Sequence, residues 1–154
     1  MDYAYPCLLT PEDDAAGYVV SFPDVPEALT GAETWEESLA LAEDALVVAL
    51  GAYVRAQEDI PVPSQASAEH EVVTVPPHTA AKLALYTAMR RKGVSPRTLA
   101  ETLGVREAKV RRLLDLNRSA RLEDVATVLR TLGRMLVVGD REVPESASAR
   151  ATAG

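Results

Sequence analysis

The chain has one cysteine, Cys7, so no disulfide can close within it, and a reducing compartment such as the cytoplasm suits that usage. Cys7 sits in the apolar run Tyr5-Pro6-Cys7-Leu8-Leu9, which reads as a buried thiol rather than a nucleophile. No stretch supplies the roughly 18 uninterrupted apolar residues of a membrane span. The start, Met1-Asp2-Tyr3, lacks the basic residues that open a signal peptide, so the chain reads as soluble, unprocessed and cytoplasmic. A glycine-rich phosphate loop and a Cys/His cluster are both missing, and no cofactor or metal is expected.

Basic residues are missing from most of the first half. Residues 1–70 hold fourteen acids against a single cation, Arg55, a balance of −13. Residues 79–134 reverse the sign, with thirteen Lys and Arg against five acids, a balance of +8. The formal net charge of −7 conceals this separation. A polyanion would repel one half of the chain and attract the other. At 154 residues and 47% hydrophobic content, the chain fits two small globular domains.

What is present first is a set of strand signals. Residues 3–9 are aromatic and aliphatic and stop at Thr10-Pro11-Glu12-Asp13-Asp14, a loop that Gly17 ends. Residues 18–22 form a second strand, and the short connection predicts an antiparallel hairpin. Pro23 and Pro26 lack the amide hydrogen that would continue the ladder, and a short third strand is read at 28–32. Thr34-Trp35-Glu36-Glu37 has capping-box spacing, in which the Thr34 hydroxyl takes the Glu37 amide and the Glu37 side chain returns to the Thr34 amide. A long helix follows, with Leu39, Ala42, Leu46, Ala49, Leu50 and Tyr53 inward and Glu36, Glu43 and Asp44 in solvent. After a Pro/Ser/Ala connection at 60–69, residues 72–75 return as an edge strand, and Pro76-Pro77 marks a domain boundary. The first domain, 1–76, is thus an α+β layer of a small antiparallel sheet and one helix.

Four helical patterns follow, at 79–91, 96–103, 106–114 and 122–132, giving a second, all-α domain over 77–140. Residues 135–138, Met-Leu-Val-Val, read as a last strand, and 141–154 as a disordered tail. Ser95-Pro96 supplies an N-cap and a first-turn proline. Ala100 is the small residue where two helices touch, and Gly104 the residue able to turn left-handed between them. Leu99, Leu103, Val105, Val110 and Leu113 close a core between the two helices. Those positions together predict a helix-turn-helix with 106–114 as its recognition helix.

A solvated amphipathic hairpin is the plainer alternative for such a pattern. The outward face argues against it: Arg106, Lys109, Arg111 and Arg112 crowd one side with Glu107 as the only acid, and like charges so spaced repel. DNA is the simplest partner. Docking geometry assigns Arg106, Glu107, Ala108 and Arg112 to base edges, and Lys109, Arg111, Asn117, Arg118, Arg97 and Arg90 to phosphates. Small modules of this type commonly dimerise to read two half-sites about 34 Å apart, which makes 135–138 a candidate dimer strand, with an intradomain edge strand or the end of a fifth helix as the plainer readings.

The chain resembles the HicB family of antitoxins, partners of HicA messenger-RNA-cleaving toxins. In the first half the likeness lies in Gly17-Tyr18, Phe22-Pro23-Asp24-Val25-Pro26, Thr30-Gly31, Thr34 with Glu36-Glu37, Leu39, Ala42, Ala45-Leu46 and Ile60-Pro61-Val62-Pro63-Ser64. In the second it lies in Lys82-Leu83-Ala84-Leu85-Tyr86, Leu99-Ala100, Leu103-Gly104-Val105, Val110-Arg111-Arg112-Leu113-Leu114-Asp115 and Leu132-Gly133-Arg134. Two departures stand out: Glu27-Ala28 replaces a common Gly-Cys pair, and Asn117 a common His. The resemblance implies a shortened ribonuclease-H-like domain that binds and blocks the toxin, and a Cro/repressor-type domain that represses the operon of both proteins. The charge pattern agrees with it, because an RNA-cleaving protein presents a basic surface that an acidic domain can cover. Asp24, Glu27, Glu33, Glu36 and Glu37 are the candidate toxin contacts, although each is also an ordinary candidate for a solvated acid.

Two other readings compete. Two-metal phosphodiester cleavage needs three or four carboxylates converging on ions about 4 Å apart. The acids here lie in the Glu12-Asp13-Asp14 loop and along a helix exterior, and His70 and His78 flank the linker, so no catalytic residues are assigned. A stand-alone transcription regulator with an N-terminal sensing or oligomerisation domain is the remaining alternative, and no ligand motif supports it.

Overall fold

The computed structural model describes residues 1–143. They fold into two compact units. One holds residues 2–50, 61–75 and 139–143, and the other holds Met1, Gly51–Ile60 and Pro76–Val138. The division falls inside a helix, so Gly51–Ile60 groups with the unit that follows rather than with the strands.

In the first unit, β1 (Ala4–Pro11), β2 (Tyr18–Ser21), β3 (Leu29–Ala32) and β4 (Glu71–Thr74) form one antiparallel sheet in the order β3-β2-β1-β4. The expected hairpin is present, with Pro11 opposite Tyr18 and Leu8 opposite Ser21. β1 runs two residues past its expected end at Leu9. Its first half pairs with β4 and its second half with β2, so neither Pro6 nor Pro11 lies between two ladders. Tyr3, Tyr5 and Cys7 alternate inward, meeting Val20, Phe22, Val73 and Val75 among the buried residues. Burial, together with the charge of Glu71 opposite Cys7, pushes the thiol pKa up to about 12, consistent with an inert buried cysteine.

Between β3 and β4 runs α1 (Trp35–Ala56). The Glu37 amide donates to Thr34 Oγ1 at 3.2 Å, the forward half of the expected box. The return bond from the Glu37 carboxylate is not among the described contacts. Instead Ser38 is fully buried at the helix start, and its hydroxyl donates to Thr34 O at 2.7 Å. Ala42, Leu46, Ala49 and Leu50 bury as expected, and Leu39 and Tyr53 are half-buried. Among the described residues, no helix is long and apolar enough to cross a membrane.

The second unit is helical: α2 (Pro77–Lys92), α3 (Pro96–Leu103), α4 (Glu107–Leu114) and α5 (Leu122–Thr131). α2 begins two residues before the expected 79, since Pro77 fits a first helical position, where the amide would lack a partner anyway. A single core of Ala81, Leu85, Met89, Leu99, Ala100, Val110, Leu113, Val125 and Leu129, among others, joins the four helices. Burying a side chain of the leucine or valine class is worth about 1.5–3 kcal/mol, so these positions dominate the unit's stability. The strand expected at 135–138 does not form within the single chain. Those residues carry no regular secondary structure. The tail expected at 141–154 falls mostly outside the described residues.

Candidate nucleic-acid interface

Two eight-residue helices, α3 and α4, hold most of the sequence-predicted nucleic-acid contacts. Ser95 starts α3: its hydroxyl accepts from the Thr98 amide at 3.1 Å. Gly104 ends it at φ 66°, ψ 32°, a left-handed position that a side chain on Cβ disfavours. The Val105 amide then donates to Ala100 O at 3.0 Å, which closes the turn, and Arg106 enters α4 in an extended conformation.

The helical period sorts the α4 side chains. Val110 (0% exposed) and Leu113 (5%) point into the core. Ala108, Arg111 and Arg112 are exposed on the far side, Lys109 is exposed at one flank, and Glu107 is half-buried at the other margin. Glu107 pairs with Arg111 at 2.6 Å, one turn away. That exposed pair is worth about 0.3–0.5 kcal/mol. Ala108, with only a methyl group, lies between Arg112 and Arg111 on the outward arc and leaves room for a bulky partner to approach the helix backbone.

Beyond α4 the Asp115 carboxylate accepts from the Asn117 amide at 2.9 Å, a local turn that Asp favours. Arg118 Nε lies 3.6 Å from the same carboxylate, and both Asn117 and Arg118 are exposed. Arg97 is exposed on α3 and pairs with Glu101 at 3.3 Å. Arg90 has a different setting. Its guanidinium bonds Asp59 Oδ1 at 2.6 Å and Gln57 O, and lies 5.8 Å from the centre of the Tyr86 ring. The bond to Asp59 raises its pKa further. This local pairing makes Arg90 the least available of the predicted phosphate contacts.

Sequence reading gave Lys82 no role beyond its share of the positive charge of residues 79–134. The side chain is fully buried in α2, and its Nζ donates to Arg112 O at 3.2 Å and to the carbonyls of Asp115 and Arg118. Only its apolar neighbours in Leu83-Ala84-Leu85 hint at burial.

The acidic candidates lie in the sheet-bearing unit. Phe22, Val25 and Ala28 are buried, held by the tight turns Val25 N to Phe22 O (3.2 Å) and Ala28 N to Val25 O (3.0 Å). Asp24 is directed at its own chain: Oδ2 accepts from the Ser64 amide at 2.8 Å and the Ser64 hydroxyl at 2.9 Å. Tyr5 holds the same segment, donating to Pro61 O at 2.8 Å. The Phe-Pro-Asp-Val-Pro and Ile-Pro-Val-Pro-Ser motifs are therefore two halves of one tie. Glu27 is exposed in the second of those turns. Glu33, Glu36 and Glu37 are exposed around the start of α1, where acids also favour the positive end of the helix dipole.

A family model described as the HicB_like antitoxin of bacterial toxin-antitoxin system matches residues 4–84. The chain is similar to "Antitoxin HicB 2" of Photorhabdus laumondii, 41% identical over 125 residues that cover 81% of this chain and 88% of the relative. It is similar to "Antitoxin HicB" of Escherichia coli K12, 35% identical over 132 residues, 86% of this chain and 95% of the relative. "Antitoxin HicB" of Pseudomonas fluorescens is 35% identical over 120 residues, 77% of this chain and 82% of the relative.

Proposed function

This chain belongs to the HicB-like antitoxin family of bacterial toxin–antitoxin systems, and we propose from that premise that its two units carry two separate tasks. The family is regulatory rather than enzymatic. The helical unit binds the operator of its own operon and represses it. The sheet-bearing unit covers a basic HicA-type toxin, and both tasks are carried out in the cytoplasm.

The observation that carries the first task is the outward arc of α4. Arg111 and Arg112 stand on it opposite the buried Val110 and Leu113, with the exposed Lys109 at its flank and Arg106 at the entry. This supports a helix-turn-helix in which α4 lies in the major groove. Arg106, Glu107, Ala108 and Arg112 then face base edges, and Lys109, Arg111, Asn117, Arg118 and Arg97 face phosphates. Arg90 joins them only by leaving Asp59. Fluorescence anisotropy with a duplex from the chain's own promoter tests this: affinity should fall steeply between 50 and 200 mM salt, by about 10³ or more if six phosphates are contacted. An affinity indifferent to salt would sink the reading.

For the second task, the sheet order β3-β2-β1-β4 with α1 inserted between β3 and β4 supports the shortened ribonuclease-H-like reading. Glu27, Glu33, Glu36 and Glu37 form the acidic contact, with Asp24 offering its remaining oxygen. Co-expression of this chain with a HicA-type toxin should relieve the growth arrest that the toxin causes. Reversing Glu33, Glu36 and Glu37 to Lys should restore the arrest, and continued growth of that triple variant would remove the assignment.

Two half-sites call for two copies. Met135, Val137 and Val138 are 75, 80 and 73% exposed, whereas Leu136 packs on the helical core. An extended apolar segment of this kind supports antiparallel pairing with the same segment of a second chain. Val137→Asp should shift the chain toward monomer in sedimentation velocity, and an unchanged sedimentation coefficient would dismiss the pairing.

A further inference from the structure

Lys82 cannot touch nucleic acid, because it is fully buried in α2. An ammonium has three donors and no acceptor, and here all three reach carbonyls: Arg112 O, Asp115 O and Arg118 O, which lie 30, 33 and 36 residues further along the chain. Arg112 O belongs to the last turn of α4, whose carbonyls have no partner within the helix and form the negative end of its dipole. The other two carbonyls belong to the turn that follows, which the Asp115 carboxylate organises from its other side by taking the Asn117 amide. Burial lowers the lysine pKa, and the charge of Asp115 opposes that shift. A methionine would pack in the same space without a buried charge to desolvate. Local bonds link these groups only pairwise, the Asp115 amide to Arg112 O at 3.3 Å and the Arg118 amide to Asp115 O at 3.2 Å, and what the lysine adds is one fixed point shared by all three carbonyls.

We infer that Lys82 is a positioning residue of the DNA-binding surface, a latch that holds the end of α4 and the turn to Arg118 so that Arg112, Asn117 and Arg118 are presented together. The inference rests on the DNA reading above and adds an interior residue to it. Side chains on a loose turn would have to be ordered on binding, and that ordering subtracts from affinity.

Lys82→Gln and Lys82→Met test the latch in the full chain, at a temperature where circular dichroism shows each variant folded. In the free protein, hydrogen exchange of the Asn117 and Arg118 amides should accelerate by about tenfold or more, with the amides of α3 and α5 as protected as before. Affinity for the promoter duplex should fall about tenfold, and the slope of log affinity against log salt should shrink by about 1–2 as phosphate contacts are lost. Lys82→Arg, which keeps the cation, should recover part of both. If Lys82→Met does not fold, the Gln variant decides alone. Wild-type exchange at the turn, or affinity lost only in proportion to the unfolded fraction with the wild-type slope, would reduce Lys82 to a core residue and overturn the proposal. A wild-type chain that ignores the duplex while the variants loosen the turn would defeat the DNA reading instead and leave the latch standing.

Discussion

The sheet-bearing unit and the helical unit place their charges in opposite ways. In the helical unit, cations stand on one exposed arc and the acids beside them are mostly their partners within one turn, as with Glu107 and Arg111, Glu101 and Arg97, and Asp115 and Arg118. In the sheet-bearing unit the acids gather at the start of α1 and in nearby turns, and the described ion pair there is Asp2 with Arg141 at 3.9 Å. An exposed cluster of acids acts at a distance on a basic partner, whereas locally paired cations act after their acids are displaced or shared. The comparison therefore predicts that mutations in the first unit change encounter with a protein, and mutations in the second change the grip on DNA.

The most damaging way to separate the units is at Gly31. A Cβ there would lie 2.4 Å from Tyr18 O, a backbone atom of the neighbouring strand, so the β2–β3 pairing cannot absorb it. Gly31→Ala should cost about 3 kcal/mol. Trp35, the single tryptophan, packs edge-on against Tyr18 at 5.3 Å and reports this unit alone in urea unfolding followed by fluorescence. DNA affinity should survive the change. Its loss in step with the Trp35 signal would show that the two tasks are not separable.

Within the helical unit, the proposed docking gives Arg112 to base reading and Arg118 to phosphate gripping. Arg112→Ala should cost about 1–3 kcal/mol against the operator and little against random duplex. Arg118→Ala should weaken both alike and lower the salt slope by about 1. Equal losses on both duplexes for both variants would erase the distinction. Gly104→Ala comes next in size. No atom lies within 4 Å of the added Cβ, so its cost is the left-handed backbone alone, about 1–2 kcal/mol in thermal unfolding.

Local chemistry made much of this legible. α3 spans Pro96–Leu103 as expected, because the Ser95 cap, the first-turn proline and the closing glycine all act within a few residues. The hairpin and α1 followed from their patterns in the same way. What escaped depends on partners far along the chain. Asp24 looked like a surface acid until Ser64, forty residues on, took its oxygen. Arg90 looked like a phosphate contact before Asp59 appeared beside it, and Lys82 counted only as charge because a lysine's burial shows only when its carbonyl partners do. The β1 end was set short at Leu9, since Thr10-Pro11 reads as loop chemistry, while the ladder with Tyr18 and Val19 carries it to Pro11. Of the proposed DNA contacts, those on α4 were legible as a face, since Val110 and Leu113 mark its inner side.

The smallest expected effect is also the sharpest probe of local pairing. Glu107 sits in the first turn of α4, bonded to Arg111 at 2.6 Å, and Arg111 is 65% exposed. Glu107→Ala removes an exposed pair and a favourable dipole contact, so stability should fall by only about 0.5 kcal/mol. On DNA the two parts of its role oppose one another. Removing the acid frees Arg111 for a phosphate and lowers repulsion, which should tighten binding to random duplex and steepen the salt slope by up to about 1. If Glu107 faces a cytosine amino group as proposed, losing that acceptor should weaken the operator alone. The ratio of operator to random affinity should therefore fall even as total DNA binding holds steady or rises. Both duplexes measured by anisotropy at three salt concentrations give that ratio directly. A ratio that stays constant while both affinities rise would mean that Glu107 only restrains Arg111, and base reading would then rest on Arg106, Ala108 and Arg112.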